Sequence, residues 1–415
     1  MPRVLLLFPT TTYRSADYLR AAQRLGVEAV VASERPSTLE SLNPGGLMTI
    51  DFRDPEACAR AAAVLAERGG IAAAVGVDEA TALAAARIGT ALGLPRANPP
   101  DAVAAAGDKR LFRERIDAAG LPGPRWIAAP VVGGPDAALA DARLPCVLKP
   151  TFLSGSRGVV RADSPEELRA AWARIAAILA DPEVARRGGD SARTILVEEY
   201  VPGDEVALEG LLRGGRLETL AIFDKPDPLE GPFFAETIYV TPSRKAPEVQ
   251  EAIREAAAHA ALAVGLREGP IHAELRLPPS GPVVIELAAR TIGGLCSRAL
   301  RFAGGATLED VVLGHALGRG PDRVEREPAA SGVLMIPVER AGRLEEVSGI
   351  EAARAVPGVE DVVISAHPGQ RLVPLPEEAR YAGFVFARAG EPAEVERALR
   401  RARGELSFRV TPAAE

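Results

Sequence analysis

Three things this chain lacks narrow its function before any motif is read: paired cysteines, a long apolar run and an excess of positive charge. Its cysteines (Cys58, Cys146 and Cys296) are far apart, odd in number and without metal-ligand spacing. That excludes a disulfide framework and suits a reducing cytoplasm. No apolar stretch reaches the roughly 20 residues that span a bilayer. No basic leader with a cleavage site precedes the apolar run Arg3–Phe8. The expectation is a cytoplasmic enzyme with no membrane partner. With 49 Lys and Arg against 56 Asp and Glu, the formal net charge is −7, the reverse of the basic footprint of a nucleic-acid binder. The first loop, Pro9–Arg14, has no G-x-G-x-x-G pattern, which reads against a dinucleotide site. There is no internal repeat.

What is present is a chain of 415 residues, long enough for two to four packed units. Residues 1–105 alternate strand and helix: VLLLF, a helix from Ser15 to Leu25, VEAVVA, a helix after Asp54-Pro55, IAAAVGV, and a helix ending near Leu92-Gly93. This is the pattern of a parallel βα, Rossmann-like N-terminal domain. Asn98-Pro99-Pro100 marks a boundary, and residues 106–320 form the next unit, with a mobile subdomain expected at about 125–200. Within it Pro165 to Leu179 reads as a helix, with Ser164 as N-cap and Glu167 placed for a capping box. Arg186 to Asp190 read as an exposed loop. After Gly318–Pro321, strands at 333–338, 359–364, 382–387 and 406–410 alternate with helices at 350–356 and 392–403. That order predicts a small split-βαβ domain over 325–415, and a fold class of α/β with α+β.

Four stretches carry candidate chemistry. In IHAELRL and PVVIEL, separated by the turn Pro279-Ser280-Gly281, Glu274 and Glu286 stand near strand ends. A hairpin brings both carboxylates together. Two anionic donors with Arg290 and Arg298 close behind suit a magnesium-bound triphosphate, although acids flanked by arginines also describe a solvated sheet face. Upstream, PCVLKP ends in a strand lysine, Lys149, followed by the turn Ser154-Gly155-Ser156-Arg157-Gly158-Val159. Glycine lets backbone N–H groups close over phosphate oxygens, and the lysine supplies a point charge. An ordinary hairpin with a snorkelling lysine has the same residues. In ILVEEYVPGDE an apolar strand runs into Glu198 and Glu199 and, past a turn, Glu205. Backbone groups there can read an adenine edge and Glu205 can accept from ribose hydroxyls, or the acids charge a sheet edge. Finally, Asp108-Lys109 opens a helical run stopped by Gly120 and Pro122.

Ordered along the chain, the four stretches resemble the ATP-grasp superfamily over roughly residues 100–320. The resemblance implies that Lys109 and Lys149 contact nucleotide phosphates beneath a mobile loop containing Ser154, Gly155, Ser156 and Gly158. It implies that Glu198 and Glu205 serve the adenine hinge and the ribose, with Glu199 and Val201 as backbone contacts. Glu274 and Glu286 then hold Mg2+, or Mn2+ in its place. FDKPDP (223–228), GPFF (231–234), ETIY (236–239) and GGLCSR (293–298) further resemble the L-amino-acid ligases and related carboxylate–amine ligases. The implied partners are ATP and small-molecule carboxylate and amine substrates, joined through an acylphosphate. Arg290, His272 and Arg298 are the candidate catalytic residues, with His272 either a donor to the phosphate or a core hydrogen-bonder, and Phe233, Phe234 and Tyr239 are either pocket walls or ordinary core. Cys296 reads as a buried structural thiol. The assembly is left open, with a homodimer as the simplest expectation.

The sequence departs from the family at one position. Many ATP-grasp enzymes carry a metal-binding asparagine two residues after the second glutamate, whereas here that residue is Ala288. Alanine cannot coordinate a cation, so water, weaker binding of a second ion or bidentate Glu286 must compensate. Two other readings stay open: a carboxylase-type enzyme activating bicarbonate, and a non-catalytic nucleotide-binding module.

Overall fold

The computed structural model describes residues 1–37, 40, 43, 45–321 and 323–412. The N-terminal elements are β1 (Arg3–Leu7), α1 (Ser15–Arg24), β2 (Glu28–Ser33), β3 (Leu47–Thr49), α2 (Pro55–Glu67), β4 (Ala73–Gly76) and α3 (Glu79–Ala91). Their strands form a parallel sheet in the order β3-β2-β1-β4, as the alternation predicts. All five residues of β1 are apolar or shielded and buried, because both faces of the sheet are covered. Leu5 and Leu7 pack with Cys58, Ala62 and Ile88, and Val4 and Leu6 with Tyr18 and Ala21 of α1. The loops after β1 and β4 leave at the carboxyl edge of the sheet, where open α/β sheets bind ligands.

Next come α4 (Pro100–Gly107) and α5 (Lys109–Ala118). Asp108 ends one and caps the other, its carboxylate accepting from the N–H groups of Arg110 and Leu111. A subdomain follows: β5 (Trp126–Pro130), α6 (Gly134–Asp141), β6 (Cys146–Pro150), β7 (Val160–Ala162), α7 (Pro165–Ala180), α8 (Pro182–Gly188) and β8 (Thr194–Glu199). Its strands pair antiparallel in the order β5-β8-β6-β7. Only half of the expected capping box of α7 forms. Ser164 accepts from the Glu167 N–H, but the Glu167 carboxylate takes the N–H of Asp163. The stretch expected as a loop at 186–190 begins inside α8, which Asp181 caps and Pro182 starts.

The remainder is β9 (Asp204–Arg213), β10 (Arg216–Asp224), β11 (Ile238–Thr241), α9 (Pro247–Val264), β12 (Gly269–Leu277) and β13 (Val283–Ala288). A short ribbon, β14 (Arg301–Phe302) and β15 (Ala306–Thr307), leads to α10 (Leu308–Ala316). Then come β16 (Ala330–Pro337), β17 (Gly342–Ser348), α11 (Ile350–Arg354), β18 (Val359–Ile364), β19 (Arg371–Leu372), β20 (Tyr381–Ala389), α12 (Pro392–Glu405) and β21 (Ser407–Thr411). Eight strands form one sheet in the order β13-β12-β9-β10-β11-β16-β20-β18. The C-terminal strands are thus divided. β16, β18 and β20 extend the large sheet, while β17, β19 and β21 make a separate three-stranded one. The sequence reading missed β17 and β19, which are mostly polar (GRLEEVS and RL) and short.

Strand alternation in the large sheet builds the site. Val206, Leu208, Ile271, Ala273, Leu275 and Leu287 share a core with Val103, Phe112, Ile253 and Ala257 of α4, α5 and α9. The intervening residues, Glu205, Glu209, His272, Glu274, Arg276, Glu286 and Ala288, take the opposite face. The β12–β13 turn is as expected, with Gly281 at φ 108° and its N–H on the Pro278 carbonyl.

Candidate active site

A cleft of about 300 Å3 opens over that charged face. The N-terminal domain contributes Thr11 to Arg14 and Val77 to Glu79, the subdomain Lys149 and Leu153 to Ser156, and the C-terminal region Met335, Ala379 and Tyr381. Glu198, Glu199, Tyr200 and Val201 form the strip joining the subdomain to the large sheet, and they line the cleft as well.

On one side are the two predicted lysines. Lys109 opens α5 and reaches the Leu153 carbonyl at 2.7 Å and Glu286 at 3.2 Å. Lys149, at the end of β6, lies 2.6 Å from Glu198. Glu198 is also gripped by Arg113 at 2.7 Å, and Arg113 donates to the carbonyls of Val284 and Ile285 on β13. Burial opposes charge on Glu198, but Arg113 and Lys149 outweigh it and draw its pKa down to about 2. Burial lowers the pKa of Lys149. The Glu198 carboxylate is therefore the enclosed counter-ion of a lysine and an arginine at the cleft wall. Glu199 and Val201, expected as backbone contacts, also line the cleft.

The Gly/Ser turn has the conformation that its composition predicts. Gly155, Ser156 and Gly158 have φ of 65°, 60° and 73°, and successive left-handed residues of this kind expose backbone N–H groups to anions. Ser154, Gly155 and Ser156 line the cleft. Gly158 does not. Its N–H bonds the Pro376 carbonyl, and a Cβ there would lie 2.7 Å from the Pro150 ring. Its role is to let the turn close against β6.

On the sheet face Glu274 and Glu286 are cross-strand partners. A bulge beside them adds Ile285, which lines the cleft. Both carboxylates are partly open, at 22% and 27% side-chain exposure. Despite burial, Lys225 and His272 hold Glu274 at a pKa of about 2, and Lys109 and Arg290 lower that of Glu286. Two ionised oxygen donors on neighbouring strands fit a divalent magnesium-type ion. Ala288, 1% exposed opposite His272, adds no ligand. His272 lies 2.5 Å from Glu209 and 3.4 Å from Glu274. These acids overcome desolvation and raise its pKa to about 9, so it is a cation at neutral pH. Glu205 lines the cleft, yet its two oxygens meet Lys225 at 2.6 Å and Arg276 at 2.8 Å.

Arg290 lines the cleft and bonds Glu79 at 3.2 Å. Arg298, expected beside Arg290, is placed elsewhere. It lies outside the cleft wall, paired at 3.0 Å with Asp17 of α1, because the short helical turn from Cys296 to Ala299 carries it toward the N-terminal domain. Phe234 and Tyr239 line the cleft, while Phe233 sits outside under Arg174. Cys296 is buried, as expected.

The sequence reading missed Glu79, Arg14 and Glu209. Glu79 follows a strand at the carboxyl edge of a parallel sheet, the usual ligand position. Glu209 is an acid inside the otherwise apolar run VALEGLL. It is 0% exposed, and besides His272 it accepts the Ile292 N–H at 3.1 Å. The buried Arg14 binds Thr291 and Glu309. Glu209 and Arg14 thereby hold from two sides the segment leading to Gly293 and Gly294.

Comparisons with known proteins agree with this arrangement. Residues 142–299 match the ATP-grasp domain and residues 334–411 match the L-amino acid ligase C-terminal domain 2. The Sinorhizobium fredii protein y4rH is 24% identical over 99% of this chain and 84% of its own length. Alanine–anticapsin ligase of Bacillus subtilis is 29% identical over 45% of this chain, and the match spans 42% of that enzyme. The crystal structure of L-amino acid ligase from Bacillus licheniformis superposes with a TM-score of 0.79 at 23% identity, covering 99% of both chains. That likeness establishes the shared fold.

Proposed function

Because this chain belongs to the ATP-grasp superfamily and carries an L-amino acid ligase C-terminal domain, we propose that it is an ADP-forming carboxylate–amine ligase acting on an amino acid. The observation that carries the reading is the cross-strand pair Glu274–Glu286, ionised and open to a cleft that Lys109, Lys149 and Arg290 also line. In this reading a substrate carboxylate oxygen attacks the γ-phosphorus of ATP, and ADP leaves. The amine nitrogen then attacks the acyl carbon and loses a proton, and inorganic phosphate departs with the C–O electron pair. An amide results.

Phosphoryl transfer needs positioning and charge more than covalent help. Lys109, Lys149 and Arg290 supply fixed positive charge. Glu274 and Glu286 would hold magnesium, or manganese in its place, which when bound neutralises phosphate charge. The turn 154–159 covers the nucleotide and excludes water that would hydrolyse an acylphosphate. Arg157 donates to the Glu377 carbonyl, so the C-terminal region holds this cover from outside. Phe234, Tyr239, Met335 and Tyr381 wall the end of the cleft where an amino-acid side chain would lie. A carboxylase reading has less behind it, since the 334–411 match is to a ligase domain. Three buried, unpaired cysteines accord with a reducing cytoplasm.

The test is ADP release from Mg-ATP across pools of amino acids, each with and without hydroxylamine. Hydroxamate in one pool identifies the carboxylate and traps the activated acyl group. Nucleotide binding without turnover in any pool refutes an amino-acid substrate and leaves a different carboxylate or the non-catalytic module.

A further inference from the structure

Among the described residues, three carboxylates approach one another closely enough to hold a metal ion. Glu205, Glu236 and Glu274 each offer an oxygen within 4.8 Å of the others. Yet an ammonium already sits among them. The Lys225 Nζ lies 2.6 Å from Glu205, 2.6 Å from Glu236 and 3.3 Å from Glu274. Its side chain is 3% exposed, and the face of Tyr239 lies 4.8 Å away. The ammonium donates hydrogen bonds to Glu205 and Glu236 and forms an ion pair with Glu274. The tyrosine hydroxyl donates at 2.5 Å to the same Glu236 oxygen that accepts from Lys225, which adds a second tether on that carboxylate.

The three acids come from separate parts of the chain and serve separate parts of the cleft. Glu205 is the second residue of β9, just after the strip of Glu199 and Val201. Glu274 is one of the paired acids on β12 and β13. Glu236 lies on the segment before β11, next to the walls Phe234 and Tyr239. We propose that Lys225 is a positioning residue that couples the nucleotide, metal and substrate parts of the cleft through one shared ammonium. What those parts bind rests on the ligase reading above. Without the ammonium, three carboxylates at this spacing repel and separate. With it, a carboxylate that moves to meet a ligand shifts the hydrogen bonds of the other two. Lys225 also fills the place where an additional divalent ion would settle, leaving Glu274 to act with Glu286.

The experiment compares the parent with Lys225→Met and with Lys225→Met/Glu236→Gln. The double variant removes one buried charge of each sign and guards against loss of folding, which a thermal melt monitors. Affinity for ADP is measured in EDTA, and bound Mn2+ is counted without nucleotide. Lys225→Met is expected to bind ADP at least tenfold more weakly and to take up one more Mn2+ per chain, and the double variant to regain most of the ADP affinity. Unchanged ADP affinity together with an unchanged Mn2+ count in a folded Lys225→Met protein would overturn the proposal. Neither measurement involves turnover or a carboxylate substrate. Failure of the ligase reading would appear in the hydroxamate assay instead, and the two failures are distinguishable.

Discussion

Glu198 and Glu286 are both strand glutamates paired with a lysine in the same cleft, yet their side chains are 4% and 27% exposed. Glu198 has two cations, Lys149 and Arg113, and both of its oxygens are used. Glu286 has Lys109 on one oxygen and the open cleft beside it. The first arrangement is a closed circuit whose removal strands two buried positive charges. The second is a held carboxylate that still faces open space, as the proposed metal role needs. Burial and partner count, more than residue type, separate a structural acid from a ligand-binding one.

That contrast is sharpest under substitution. Glu286→Gln keeps the shape and removes the open charge, so turnover should drop by about 10³-fold or more while the melting temperature holds. Near-normal activity would remove Glu286 from the reaction. For Glu198→Gln the effect moves to stability, a loss of about 3–5 kcal/mol, because a buried pair is broken on one side; equilibrium unfolding reads it. The pH dependence of that loss follows from its direction. A carboxylate with a folded pKa of about 2, against an ordinary value of 4.5, stabilises fully above pH 4.5 and less as pH falls toward 2. The stability gap between parent and Glu198→Gln should therefore narrow on acidification below pH 4.5, and a constant gap would contradict the assignment.

Arg290→Ala should cost about 10²–10³-fold in turnover, with little change in nucleotide affinity, if its charge matters most as the phosphoryl group transfers. Single-turnover rates separate the two. The smallest effect is expected at Arg298. It pairs with Asp17 outside the cleft, so Arg298→Ala should leave turnover within about twofold and cost at most about 1 kcal/mol, the usual worth of a partly exposed ion pair. A large kinetic loss there would reopen the sequence-based expectation.

Much of the architecture was legible because it rests on local signals. The strand–helix alternation of the first hundred residues, the Asp108 and Ser164 caps and the turn at Gly281 each follow from a few neighbouring residues, and all appear where expected. The polar strands Gly342–Ser348 and Arg371–Leu372 were not legible, since the first pairs with β21 from the end of the chain and the second with the first. The same holds within the site. Glu274 and Glu286 are close in sequence and share a hairpin, so their meeting could be read directly. Glu79 meets Arg290 across 211 positions, and Arg14 meets Glu309 across 295. No local pattern encodes such partners.

The sequence by itself determined the order of elements, the identity of the two lysines and two acids that face the cleft, and the departure at Ala288. The order of elements depends on periodicity and short spacing, while the lysines, the acids and Ala288 were recognised through the resemblance of short motifs to the ATP-grasp pattern. Tertiary structure alone decided which charges are sealed and which stay open. It enclosed Glu198 between Lys149 and Arg113, turned Arg298 toward α1, and seated Lys225 among three acids from three segments. The state of a charge depends on every group around it in space, and those groups come together only when the sheet is assembled.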